Sequence, residues 1–312
     1  MKSNDVKIKK RKIFKKQDIP LYIMALPGFI MLIMFKYLPM SGIVLAFKKY
    51  NVGKGIFGSE WVGLKNFQYL FTTTDAWIIT RNTILYNLAF IVINTVFSVG
   101  LALLISELHN KLVAKTIQTF FMMPHFLSWA VVAIIGTAFL ERDNGYVNYL
   151  TNLISGAPKR DWYQVIEVWP FLILLINTWK SIGFASVLYF ATIVGISKDY
   201  YEAAVLDGAS RLQQARYITI PHLRTIISIQ IILALGGIFR GDFGLFYTVT
   251  KNSGPLYPVT SVIDTYVYNG LMSSTNLGMS AAAGFYQSMV GFIVILLANK
   301  VVTKIDPDSA MF

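Results

Sequence analysis

Asn177, Lys180 and Phe184 stand at i, i+3 and i+7, the spacing of one helical face. Farther along, Phe239, Arg240, Asp242 and Phe243 follow almost without interruption among Gly236, Gly237, Gly241 and Gly244. An amide, two cations, a carboxylate and aromatic rings can hydrogen-bond a polar solute and cover its apolar faces. Bond-breaking chemistry finds less support. The chain has no cysteine, which removes thiol nucleophiles, Cys-ligated zinc and iron–sulfur clusters. Its three histidines, His109, His125 and His222, are scattered. Neither H-E-x-x-H nor G-x-x-x-x-G-K-[ST] occurs, which argues against zinc proteolysis and a P-loop. An intramembrane aspartyl protease would need G-x-G-D, but Phe239 stands where the first glycine should be. These residues therefore read as candidates for binding a solute, and the sequence offers no enzyme signature, metal cluster or cofactor motif.

The elements that must position these residues are membrane helices. Of 312 residues, 55% are hydrophobic and 14% charged, and the mean hydropathy is +0.54; a soluble domain carries about 25% charged residues. Six stretches are long and apolar enough to cross a bilayer: 21–47, 78–106, 116–140, 165–194, 224–250 and 281–303. None shows the period-2 alternation of a barrel strand. The fold class is an all-α membrane protein with six transmembrane helices. A basic run precedes the first stretch, but no small-x-small cleavage pattern follows Phe35, so this stretch reads as a retained helix kinked at Pro27 and Pro39. Polar interruptions within this and the later stretches include Lys36, Arg81, Lys180, Arg240 and Asp242. Charges at such depth face a cavity or a partner helix, and glycine-broken helices at mid-membrane line pathways.

An even number of spans puts both termini on one side. The tails and the loops near 107–115 and 195–224 hold 16 Lys and Arg, against nine in the longer opposite loops. The positive-inside rule places that side in the cytoplasm. The net charge of +12 is thus mainly topological, and the tail run Lys9-Lys10-Arg11-Lys12 fits anionic lipid better than nucleic acid.

The loop 195–224 is too polar to span, yet helical in pattern. Ser197 and Asp199 are caps for a helix through Glu202 to Leu206, and Gly208 permits a sharp turn at its end. A second short helix, Ser210 to about Tyr217, is expected to stop before Pro221. Two short helices would then lie across the cytoplasmic face.

Glu202-Ala203-Ala204, then Asp207-Gly208, nine residues, and Ile218-Thr219-Ile220-Pro221 resemble the signature of permease subunits of binding-protein-dependent ABC importers, with Ile220 where leucine is usual. Trp61-Val62-Gly63-Leu64-Lys65-Asn66-Phe67 and Ser253-Gly254-Pro255 look like segments of carbohydrate importers. Arg240-Gly241-Asp242-Phe243 and Val262 to Tyr268 look most like the LplB-type branch, associated with complex oligosaccharides. The resemblance implies a type I importer permease: a six-helix domain at 19–305 between cytoplasmic tails at 1–18 and 306–312. It makes Glu202, Ala203, Ala204, Asp207, Gly208, Ile218 and Pro221 the ATPase-coupling residues. It also implies a second related permease, two ATPase subunits that hold ATP and Mg, an extracytoplasmic solute-binding protein, an oligosaccharide substrate and a bacterial cytoplasmic membrane, with no nucleic-acid partner.

Similarity to the maltose importer's sugar-binding permease carries sugar-contacting positions onto His125, Trp129, Asn177, Lys180, Ser181 and Phe184, and onto or near Phe239, Arg240 and Phe243, with Asp242 adjacent. Asn and aromatic side chains suit a sugar; Lys180 and Arg240 suit an acidic one such as a uronate. Each has a second reading. Lys180 can snorkel or pair with a helix neighbour, Arg240 can pair with Asp242, His125 can settle a helix break, and Trp129 and Phe184 can simply pack. Asp264 reads equally as a cap or as a contact for a docking protein. The alternative function is an ATP-independent secondary carrier or channel, which has no need of the Glu202 loop.

Overall fold

The structure, a computed structural model, describes residues 19–273 and 277–305; the expected tails at 1–18 and 306–312 lie outside them. α1 (Ile19–Leu32) passes into a π-turn at Ile33–Tyr37 and a 3-10 segment at Leu38–Phe47. A two-stranded ribbon follows, β1 (Lys48–Lys49) antiparallel to β2 (Glu60–Trp61), then α2 (Lys65–Thr72) and α3 (Thr74–Ser106). α4 (Lys111–Phe126) and α5 (Trp129–Leu140) meet at 96° across Leu127 and Ser128. α6 (Tyr146–Ser155) leads to α7 (Trp169–Val194). Beyond α7 come α8 (Lys198–Leu206), α9 (Arg211–Gln214), α10 (Ile220–Leu235), α11 (Ile263–Met272) and α12 (Leu277–Ile305).

Among the described residues five helices are long and apolar enough to cross a membrane, and six spans result when the bent α4–α5 pair counts as one. Apolar side chains cover the outside: Leu21, Ile23 and Phe29 of α1 are each more than half exposed. A water-facing surface would not tolerate this, whereas hydrocarbon is as apolar as leucine. The protein is an all-α membrane protein whose ribbon is a minor addition. α3, α4 and α7 form its centre. Gly183 of α7 lies directly on the backbone of Phe121 in α4, with no room for a Cβ. Near one end, Trp169 and Ile173 of α7 pack with Tyr86 and Phe90 of α3 and with Leu245 and Phe246. Near the other, Tyr189 and Ile193 pack with Ala102 and Leu223.

Two breaks that the sequence allowed take a defined form, and one expectation needs correction. The third stretch breaks beside its proline: α4 ends two residues past Pro124, and Ser128 caps α5 by accepting from the Val131 N–H. The fifth stops at Leu235 and resumes as a π-segment only at Gly244–Val249. The second short helix does not stop before Pro221. It runs through a π-turn at Ala215–Thr219 into α10, with Pro221 in that helix's first turn, where a missing N–H is tolerated. Pro27 likewise sits inside an unbroken α1, and the backbone changes character only around Pro39.

Candidate functional site

Both interruptions of the spanning helices expose backbone groups that hydrocarbon cannot satisfy, and side chains supply the partners. At the α4–α5 bend, the Lys180 ammonium donates to the carbonyl oxygens of His125 and Leu127, both at 2.7 Å, and of Pro124 at 3.3 Å. It also lies 5.1 Å from the centre of the Trp129 ring. The cation thus sits at the negative end of the α4 dipole. At the second break, Asn87 of α3 donates to the carbonyls of Ile238 and Arg240, each at 3.0 Å. Gln287 of α12 donates to the Phe239 carbonyl at 2.6 Å and to Asp264 at 2.9 Å. Asp264 in turn accepts from the Gly241 N–H. Asp242 caps the following π-segment by accepting from the Leu245 N–H.

The two breaks touch. Trp129, first residue of α5, lies against Gly244 so closely that any side chain there would strike its ring. His125 stacks on Phe184, with centroids 4.2 Å apart and planes 7° from parallel. Phe243 stacks on Tyr247 at 4.7 Å, and Tyr268 sets its edge against both. Asn177 faces α3 instead, accepting from Asn94 at 2.9 Å. Beside that pair a cavity of about 370 Å³ opens between α3, α7 and α10, lined by Asn87, Asn94, Thr95 and Gln230 among others.

His125, Trp129, Lys180 and Phe184 are therefore neighbours, and Phe243 and Asp242 flank Gly244 beside them. Phe239 stands apart, 7% exposed in a core of Ile79, Ile238 and Ile263. Arg240 and Asp242 are exposed and form no ion pair with each other, so that reading of the tripeptide falls away. Asp264 is a brace inside the fold. Sequence reasoning missed Asn87, Asn94, Tyr247, Tyr268 and Gln287. Their signal was legible: Asn87 and Asn94 are an i, i+7 pair of amides in an apolar stretch, but only charges were counted as interruptions.

The loop at the other end is a rigid two-helix device. Ser197 caps α8 through the Asp199 N–H. Asp207 closes α8 on the Ala203 carbonyl, and Gly208 adopts φ +78°. The N–H groups of Gly208 and Ala209 bond Val205 and Ala204, a Schellman ending that needs a left-handed residue. Ser210 and Gln213 form a capping box on α9. The Tyr201 hydroxyl meets that of Thr219 at 2.9 Å, tying α8 to the π-turn that leads into α10. Glu202, Ala203 and Pro221 are exposed, Ala204 and Ile218 half-buried. Leu206 and Leu212 protrude, 89% and 80% exposed.

Comparison with known proteins finds a match to the family described as binding-protein-dependent transport system inner membrane component, over residues 94–307. The chain is 35% identical over 289 residues to the polygalacturonan/rhamnogalacturonan transport system permease protein YteP of Bacillus subtilis (strain 168), covering 91% of this chain and 88% of that protein. It is 32% identical to Protein LplB of the same organism, covering 94% and 91%. Its fold matches a chain of a bacterial ABC transporter involved in the import of the acidic polysaccharide alginate, with a TM-score of 0.83, 29% identity and coverage of 93% and 97%. That alginate transporter in complex with an alginate pentasaccharide-bound periplasmic protein matches at 0.81, with 30% identity and coverage of 93% and 96%.

Proposed function

The chain belongs to the binding-protein-dependent inner membrane components of transport systems, and from that premise we propose that it forms half of the pathway of an ATP-driven importer for acidic oligosaccharides. It is a transport subunit, and hydrolysis of MgATP belongs to separate ATPase subunits. A second related permease would complete the pathway, and a solute-binding protein would deliver the sugar from outside. The basic bias of the tails and the α8 side orients both termini toward the cytoplasm of a bacterial cell. Family membership leaves the carrier or channel reading without support.

One observation carries the acidic preference. Arg240 lies at the mid-bundle break, exposed and without an ion pair among the described residues, while Asn87 and Gln287 satisfy the backbone around it. A guanidinium held on such a frame matches a carboxylate in geometry as well as charge. Lys180 does not share this role, since its donors are spent on three carbonyls. The stacked rings of Phe243 and Tyr247, and of His125 and Phe184, supply flat apolar surfaces for sugar rings. The Asn94–Asn177 pair offers amides to hydroxyls. The coupling path is short. An ATPase that grips Leu206 and Leu212 moves α8 and α9 as one body; the Tyr201–Thr219 contact passes that motion to α10, whose far end is the break bearing Arg240.

Uptake by Arg240→Ala and Arg240→Lys variants, measured with uronate and neutral oligosaccharides of equal length, tests the reading. Loss of a charge-assisted pair lowers uronate uptake by on the order of tenfold in Arg240→Ala, with partial recovery in Arg240→Lys and little change for the neutral sugar. Equal loss of both substrates would overturn the acidic preference. Purification of the tagged chain without any P-loop ATPase would overturn the assembly.

A further inference from the structure

A second cavity, of about 710 Å³, lies at the end of the bundle that carries α8. Its lining falls into two zones. Phe190 and Ile193 of α7 form an apolar wall on a spanning helix, while Lys111 and Lys115 lie in the opening turns of α4, Arg211 opens the helical run that continues into α10, and Lys198 opens α8 between the spans. The three lysines are exposed and, among the described residues, have no ion pair. Arg211 alone meets a carboxylate, Glu107 at 3.4 Å, and both of those side chains are largely open to solvent. Glu107 is the one acidic residue among those lining the cavity, so the positive charge is not balanced within the lining.

Helix physics makes the imbalance more pointed. Lys111 is the first residue of α4, at the positive end of its dipole, where an anion is favoured over a cation. Lys111 and Lys115 are also i, i+4 on one face, a like-charge spacing that disfavours the helix. An anion in the cavity mouth relieves both. A soluble phosphate has no use for the apolar wall, whereas a phospholipid places its headgroup and its first acyl segment at these two levels.

We propose that this cavity seats an anionic phospholipid, its phosphate ringed by Lys111, Lys115, Lys198 and Arg211 and its acyl chain lying on Phe190 and Ile193. Lys198 opens α8 and Arg211 opens α9, so the headgroup bridges both short helices to the start of α4.

Native mass spectrometry of the assembled transporter, offered phosphatidylglycerol, phosphatidylcholine or inorganic phosphate, tests the seat. The wild-type complex retains phosphatidylglycerol over phosphatidylcholine. The double variant Lys111→Gln/Lys115→Gln lowers that retention by on the order of tenfold or more, and Lys111→Arg/Lys115→Arg restores it. Unchanged retention in the Gln variant would overturn the proposal. So would displacement of the lipid by inorganic phosphate, which would mark a site for soluble anions. Loss of the ATPase subunits from the Gln variant would assign the lysines to a protein partner and overturn it too.

Discussion

The Lys180 ammonium donates to the Leu127 carbonyl oxygen at 2.7 Å, joining the middle of α7 to the corner where α4 turns into α5. The same cation holds the His125 carbonyl, so one side chain closes a 96° bend and sets the ring of His125 against Phe184.

Lys180→Met is therefore a stability and positioning variant. It strips the His125 and Leu127 carbonyls of the Lys180 donor, while the Pro124 carbonyl keeps the Leu127 N–H, and is expected to destabilise the protein by about 2 kcal/mol or more, read as earlier thermal unfolding in detergent. Uptake of neutral and acidic oligosaccharides falls together, and Lys180→Arg recovers part of both. Selective loss of the acidic substrate would instead make Lys180 a ligand.

The break at Ile238–Asp242 depends on Gln287 in the same way. Gln287→Leu strips the Phe239 carbonyl and Asp264 of a donor, at about 1–3 kcal/mol for the groups left unsatisfied. Gln287→Glu also removes the amide donor and sets a second carboxylate beside Asp264. The expected order of melting temperature is wild type, then Gln287→Leu, then Gln287→Glu. Three equal melting temperatures would show that the break needs no brace.

Gly208 separates backbone geometry from side-chain space. Nothing lies within 4 Å of a Cβ built there, so Gly208→Ala bears only the left-handed backbone strain, roughly 1–2 kcal/mol. Proline cannot adopt φ +78° at all. Membrane insertion should survive both changes. Uptake should fall modestly in Gly208→Ala and vanish in Gly208→Pro, with the ATPase lost from the purified complex only in the latter. Wild-type uptake by Gly208→Pro would remove the coupling role of the loop.

How much of this could be read beforehand varies by element. The Schellman end of α8 was legible because its determinants, a helix pattern followed by Gly208, are adjacent in the chain. The continuation through Pro221 was not. A π-turn widens the helix before the proline, and neither a propensity nor a spacing shows it.

The apolar stretches, the charge bias of the loops and the Glu202-to-Pro221 spacing were determined by the sequence alone, because each is a local or compositional property read against the bilayer's thickness and potential. Which polar group serves which purpose was decided only in three dimensions. Lys180 and Arg240 are both cations at membrane depth, indistinguishable by type. One faces the end of α4 and is consumed by its carbonyls; the other stands on a break whose own groups are satisfied by Asn87 and Gln287 from distant helices. A buried backbone group takes the nearest donor in space, and nearness in space between helices is set by packing, not by position along the chain.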